Sequence, residues 1–201
     1  LYFLDYETVN PAVPWYEGYA PYQHIVFQFS LHVFKSPRDD PAHYEYLAVE
    51  DQDPAPGLLA ELTARIGDTG SVIVWNQSFE ASRNRELAAM VPQFAEKLED
   101  INRRMYDLME IFSKGSYVHP DFHGSASIKN VLPVLAKDLS YDGLPIPAGD
   151  QAMTAWLSMM GGELSPQKFE QTRRDLLRYC ELDTLAMVRN WQFLVELVSA
   201  G

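Results

Sequence analysis

Hydrophobic and polar residues alternate along the first quarter of the chain, and this period of two predicts β-strands. The pattern predicts three strands, over residues 1–8, 24–34 and 43–49. A proline-rich loop and a turn at 36–41 join them, so we expect an antiparallel meander. A short, wholly apolar segment at 72–75 predicts a fourth strand that is buried on both faces.

The second half of the chain changes to a period of three to four, which is typical of helices. Residue 80 begins a helical pattern, Pro133 interrupts another, and Ser165 with Pro166 is a good start for the last one. Segment 106–112 is either a short fifth strand, which we expect, or the end of the preceding helix, and 116–127 and 142–149 are predicted loops. The predicted helices cover 58–66, 80 onward, 92–104, 128–139, 151–160 and 166–198, the last with room for one break. The sequence therefore predicts one α/β domain, with a mixed five-stranded sheet of a meander plus parallel strands, flanked by helices.

Composition and charge limit the function classes. The 201 residues include 28 acidic and 16 basic side chains, a formal charge of −12, which argues against a domain that coats phosphate backbones with lysine and arginine. A nuclease remains open, because Mg²⁺ sites concentrate carboxylates. The single cysteine, Cys180, excludes an internal disulfide and fits a reducing cytoplasm, and its place on a predicted helix indicates a buried packing residue.

Two features of the chain as a whole bear on its context. No apolar run reaches the roughly 18 residues that would span a bilayer, so we expect no membrane partner. Leu1 already lies inside the first predicted strand without an initiator methionine. We therefore expect residues 1–201 to be a single domain of a longer protein, with that protein's other domains among its partners.

Asp5 and Glu7 are the first candidates for chemistry. Residues two apart in a strand point to the same side, so both carboxylates share the face that carries Phe3. Two like charges beside an apolar face are costly unless something positive lies between them, and a divalent cation is the usual remedy. The alternative is a strand end that emerges into solvent.

A second and a third group of candidates follow. Asn76 and Glu80 come directly after the buried strand, where open α/β sheets place their sites, although Asn76 also suits the role of a helix cap. Tyr179 and Asp183 are four residues apart on a predicted helix and therefore share one face. These two side chains indicate a polar site beneath that face. The alternative is a buried hydrogen bond between the tyrosine and the aspartate.

Taken together, the three groups resemble the motifs of the DEDD superfamily of 3′–5′ exonucleases, in its tyrosine variant. More narrowly, the chain looks like uncharacterised bacterial ribonuclease H-like domains found within larger proteins. The family's motifs match, in chain order, Asp5 and Glu7, then Asn76, Phe79 and Glu80, then Tyr179 and Asp183. The acid of the second motif departs from the family, which normally has aspartate where this chain has Glu80.

The resemblance implies a ribonuclease H-like fold and two-metal hydrolysis of phosphodiester bonds. Two Mg²⁺ or Mn²⁺ ions, about 3.5–4 Å apart, would be held by the four carboxylates, and Tyr179 would orient the attacking water. Asn76 and Phe79 would contact the substrate, a single-stranded DNA or RNA 3′ end. The alternative is a module that kept the fold and binds nucleic acid or acts as a scaffold, with weak or no catalysis. Glu80 and the charge of −12 favour this alternative.

The loop at 116–127 carries a further set of polar side chains. His119, Asp121 and His123 have the spacing of a metal cluster, but Pro120 and Gly124 mark a loop whose side-chain directions cannot be read. We therefore expect His119 and His123 to contact substrate rather than to hold zinc.

Overall fold

The computed structural model describes residues 1–35 and 40–200, so most of the turn expected at 36–41 lies outside the described residues. Within them, five strands form one sheet in the order β3-β2-β1-β4-β5. The strands are β1 (Tyr2–Val9), β2 (Ile25–Val33), β3 (Ala42–Leu47), β4 (Val72–Val74) and β5 (Met105–Asp107). β1, β2 and β3 are antiparallel, while β4 runs parallel to both β1 and β5. The predicted mixed sheet, a meander plus parallel strands, is confirmed.

Helices cover both faces of the sheet, as expected for an α/β domain. They are α1 (Ala55–Arg65), α2 (Gln77–Met90), α3 (Ala95–Arg103), α4 (Glu110–Ser113), α5 (Ile128–Leu135), α6 (Gly149–Met160) and α7 (Pro166–Ser199). One apolar cluster packs α1, α2 and α3 against the face that carries Leu4, and another packs α6 and α7 against the face that carries Phe3. Asp5 and Glu7 therefore face the layer that contains α7.

The largest differences from the sequence-based expectation are in β5, α5 and α7. β5 has only three residues, because the Asp107 carboxylate accepts N–H groups from Met109 and Gln77 and turns the chain toward α4. α5 ends at Leu135 rather than at residue 139, and Pro133 lies inside it, where its missing N–H removes one helical hydrogen bond. α7 runs for 34 residues without the break that its sequence left open, since residues 167–198 contain neither glycine nor proline and Ser165 caps its start.

Among the described residues, no helix combines the length and the apolar character that crossing a membrane requires.

Candidate active site

Four carboxylates from distant parts of the chain line one cavity of about 190 Å³. β1 contributes Asp5 and Glu7, the first turn of α2 contributes Glu80, and the middle of α7 contributes Asp183. The remaining lining residues are Trp75, Asn76, Ile128, Lys129, Tyr179 and Met187. The three groups of candidates that the sequence indicates thus lie together.

Local structure explains how each acid reaches the cavity. Asp5 and Glu7 are on one face of β1, opposite Ser30 and Gln28 of β2. β4 ends just before α2, so the first turn of α2 begins where the strand stops and brings Glu80 to the carboxyl end of β4. On the other side of the cavity, Tyr179 and Asp183 are one helical turn apart on α7.

The carboxylates of the cavity destabilise one another's charged forms. Burial, and then the charges of neighbouring acids, raise the pKa values of Asp5 and Glu7 well above their ordinary range. Burial raises the pKa of Glu80 to about 8 and that of Asp183 to about 6. The Oε2 atom of Glu80 is also buried and, within the described residues, has no hydrogen-bond partner. If all four acids ionised, the cavity would therefore carry more negative charge than its protein surroundings compensate.

Lys129 supplies the positive charge in the lining. Its Nζ donates to the carbonyl oxygen of Pro147 at 2.7 Å and lies 3.4 Å from the hydroxyl of Tyr179. It also lies over the rings of Tyr141 and Tyr179, at 5.3 and 5.2 Å from their centroids. This ammonium opposes the upward shift of the pKa values of Glu7 and Asp183, but one cation faces four carboxylates.

Two further side chains hold the carboxylates in place. The Tyr141 hydroxyl donates a 2.5 Å hydrogen bond to Asp183 Oδ1, and the Cys180 thiol lies 3.6 Å from Asp5 Oδ2, to which it donates. Burial raises the pKa of the Cys180 thiol, so it stays protonated and acts as a donor. The sequence indicated Cys180 only as a buried packing residue, and it gave no signal for Tyr141 or Lys129.

The donor set fits a hard divalent cation. Asp5, Glu7 and Cys180 each offer a ligand atom within 4.8 Å of the other two. Carboxylate oxygens are the ligands that Mg²⁺ and Mn²⁺ prefer. The Oε2 atom of Glu80, which has no hydrogen-bond partner within the described residues, is an oxygen ligand of the same kind.

In the second motif, Asn76 both caps a helix and lines the cavity. Asn76 caps α2, since its Oδ1 accepts from the N–H of Phe79 at 3.4 Å and from the Ser78 hydroxyl at 2.7 Å, and it also lines the cavity. Phe79 is not a lining residue. Its ring packs against the guanidinium of Arg83, 4.9 Å away, and against His24.

The loop histidines lie apart from the cavity lining. His119 accepts the N–H of Asp121 through Nδ1 at 3.2 Å and thereby caps a short turn, while His123 has left-handed backbone with φ of 52°. Neither lines the cavity, and together with Asp121 they do not form a group of converging ligand atoms. Their contact with substrate stays a prediction.

Comparisons with known proteins place the chain beside domains without an assigned activity. The model of the family described as "Domain of unknown function (DUF2779)" matches residues 2–127. Uncharacterized proteins of Mycoplasma pneumoniae and Mycoplasma genitalium are 26% and 27% identical to the chain, each over 98% of it and 32% of the relative. A third, from Ureaplasma parvum, is 26% identical over 98% of the chain and 31% of its own length. The chain spans about a third of the length of these curated relatives. No solved structure matches it.

Proposed function

The chain belongs to the DUF2779 family of domains of unknown function, and we propose that it is a metal-dependent 3′–5′ exonuclease acting on single-stranded nucleic-acid ends. The observation that carries the proposal is the convergence of four carboxylates and one tyrosine on a single cavity. These residues are Asp5, Glu7, Glu80, Asp183 and Tyr179, which match the three motifs of the DEDD superfamily in order. We extend the proposal to the fold, because the strand order and directions suit the ribonuclease H-like class that the resemblance implies.

The carboxylates would hold the cations. Asp5, Glu7, Glu80 and Asp183 are the ligands we propose for two Mg²⁺ or Mn²⁺ ions, which when bound would supply an activated water and stabilise charge on the leaving 3′ oxygen. Tyr141 positions Asp183 through its hydroxyl hydrogen bond, and Cys180 does the same for Asp5. Asp183 and Asp5 are thus oriented before any ion arrives, which reduces the cost of assembling the site.

Tyr179 and Lys129 would act on the water and the phosphate. Burial raises the pKa of Tyr179 above its ordinary value, so the phenol stays protonated and orients a water by hydrogen bonding rather than acting as a base. The Lys129 ammonium, 3.4 Å from that hydroxyl, is placed to meet a phosphate oxygen that enters the cavity. Asn76, exposed at the rim, would contact the sugar or base of the terminal nucleotide.

The overall charge of −12 suits a substrate that enters as a short single-stranded end. A duplex would bring many phosphates close to an acidic surface, and their repulsion would oppose binding. A single strand needs only its terminal phosphodiester in the cavity, where Lys129 and the bound cations offset the repulsion.

A nucleic-acid-binding or scaffolding module with weak or no catalysis is the second candidate. Glu80 favours it, because the side chain is one methylene longer than the aspartate of the family and is only 3% exposed. A carboxylate in that position has little freedom to adjust its distance to an ion. Under this alternative the chain binds single strands but does not shorten them.

A labelled-strand assay separates the two candidates. With Mn²⁺, we expect a 5′-labelled single strand of DNA or RNA to yield a ladder of progressively shorter products, and a 3′-labelled strand to release a labelled mononucleotide at once. A chelator should stop both. Retention of the strand on the protein without shortening would favour the binding module, and internal cuts without a ladder would contradict exonuclease polarity.

A further inference from the structure

A second convergence of polar side chains joins the edge of the sheet to α7. His32 of β2 and His43 of β3 are cross-strand partners, and Glu181 of α7 lies against them. Each of the three offers a ligand atom within 4.8 Å of the other two. None of them lines the carboxylate cavity.

The spacing within this cluster suits a metal better than a hydrogen bond. His43 Nδ1 and Glu181 Oε1 are 3.8 Å apart, beyond hydrogen-bond range. Two ligands of a tetrahedral zinc ion, each at 2.0–2.1 Å from it, are about 3.4 Å apart. A side-chain movement of about 0.4 Å would therefore bring the two atoms to the separation that zinc requires.

Two hydroxyl groups already orient the imidazole rings. Thr184 Oγ1 is 2.8 Å from His32 Nδ1, Ser30 Oγ is 2.9 Å from His43 Nε2, and the two hydroxyls are 2.7 Å apart. Each ring thus uses one nitrogen for a hydroxyl, so that Nε2 of His32 and Nδ1 of His43 are the nitrogens left for a ligand. Histidines that bind metals are typically held in this way by a hydrogen bond to the other ring nitrogen.

The exposure of the cluster and the protonation state of His32 are compatible with metal binding. His32 is buried, whereas the side chains of His43 and Glu181 are 22% and 46% exposed, so an ion can reach the cluster from one side. Burial, with a contribution from His43, lowers the pKa of His32 to about 4. His32 is therefore neutral near pH 7, the form in which imidazole binds metals.

We propose that His32, His43 and Glu181 form a zinc site with a fourth position open to water, separate from the carboxylate cavity. Two imidazoles and one carboxylate are a ligand set of zinc, whereas Mg²⁺ prefers oxygen ligands alone. Because its ligands come from β2, β3 and α7, the ion would fasten the edge strand of the sheet to the helix that carries Tyr179 and Asp183. The site does not depend on the proposed exonuclease activity.

Calorimetric titration of the metal-free chain with Zn²⁺, in excess Mg²⁺ to occupy oxygen-ligand sites, tests this proposal. We expect one Zn²⁺ per chain for the wild type. His43→Gln, whose amide can still bond Ser30, should weaken zinc binding about 100-fold, and Glu181→Gln should weaken it about tenfold or more. Glu163→Gln, at an exposed acid outside both clusters, is the matched control and should bind zinc as the wild type does, whereas Asp5→Ala reports any zinc held by the carboxylate cavity.

Visible absorption of the Co²⁺-loaded chain gives an independent readout, since bands typical of four- or five-coordinate nitrogen and oxygen ligation should appear in the wild type and disappear in His43→Gln. Circular dichroism checks that each variant is folded. If His43→Gln is unfolded, Glu181→Gln decides the matter, because its side chain is half exposed. No zinc binding by the wild type, or binding that survives Glu181→Gln and is lost in Asp5→Ala, would overturn the proposal.

Discussion

Replacement of Asp5 by alanine is expected to reduce Mn²⁺-dependent shortening of single strands by about 10³-fold or more, because it removes a proposed ligand of the cations that stabilise charge in the reaction. Asp5 offers a ligand atom within 4.8 Å of those of Glu7 and Cys180, and the charges of all three other acids raise its pKa. Without Asp5, the cavity has one carboxylate fewer to bind the two cations. The initial rate of 3′-end release, wild type against variant at saturating Mn²⁺, measures the effect.

Folding and contamination both need controls in this experiment. Asp5→Ala removes a partly buried carboxyl group whose ionisation the folded chain disfavours, since its pKa is raised, so the variant should be at least as stable as the wild type in a chelator. Glu17→Gln changes an exposed acid outside the cavity and should retain full activity. Equal rates for wild type and Asp5→Ala would assign the hydrolysis to a contaminant and leave the binding-module alternative.

Replacement of Glu80 by glutamine is expected to stabilise the metal-free protein at pH 8 while removing much of its stabilisation by Mn²⁺. The pKa of Glu80 is about 8 in the folded state against an ordinary 4.5. Between these pH values the folded chain binds a proton that the unfolded chain releases. The free energy of unfolding therefore falls as pH rises from 4.5 toward 8. Asp5, Glu7 and Asp183 contribute in the same direction, since their pKa values are also raised.

Denaturant unfolding in a chelator measures this effect. At pH 8 we expect Glu80→Gln to be more stable than the wild type by about 1–2 kcal/mol, with a flatter dependence on pH. Added Mn²⁺ binds the folded state and should raise the unfolding midpoint of the wild type more than that of the variant. Glu80→Asp is the matched comparison, because it keeps the charge and retracts it by one methylene; it should keep the pH dependence but bind Mn²⁺ more weakly. A Glu80→Gln variant less stable than the wild type at pH 8 in chelator would contradict the account.

The sequence predicted those features that depend on local periodicity. Asp5 with Glu7, and Tyr179 with Asp183, share a face because strands and helices have fixed repeats, and the placement of Glu80 follows from its position just after a buried strand. The alternation in β1 likewise predicted which side of the sheet each residue would face. These relations hold before any tertiary contact is known.

The remaining features of the site depend on tertiary packing, which no periodic pattern in the sequence predicts. Lys129 reaches the cavity only because α5 packs against α7, and Tyr141 reaches Asp183 from a segment that has no regular secondary structure. The pairing of His32 with His43 depends on the register of β2 against β3, which the alternation of hydrophobic and polar residues does not specify. The Cys180 thiol could be predicted as buried but not as a donor to Asp5, because that contact depends on the rotation of α7 against β1.

The most direct test of the central claim is a crystal of the chain soaked in Mn²⁺ and examined by anomalous scattering. The account predicts two manganese ions in the cavity, with Asp5, Glu7, Glu80 and Asp183 as their protein ligands. A crystal in which these four carboxylates face one cavity but hold no ion at saturating Mn²⁺, or in which they do not face a common cavity, would contradict it.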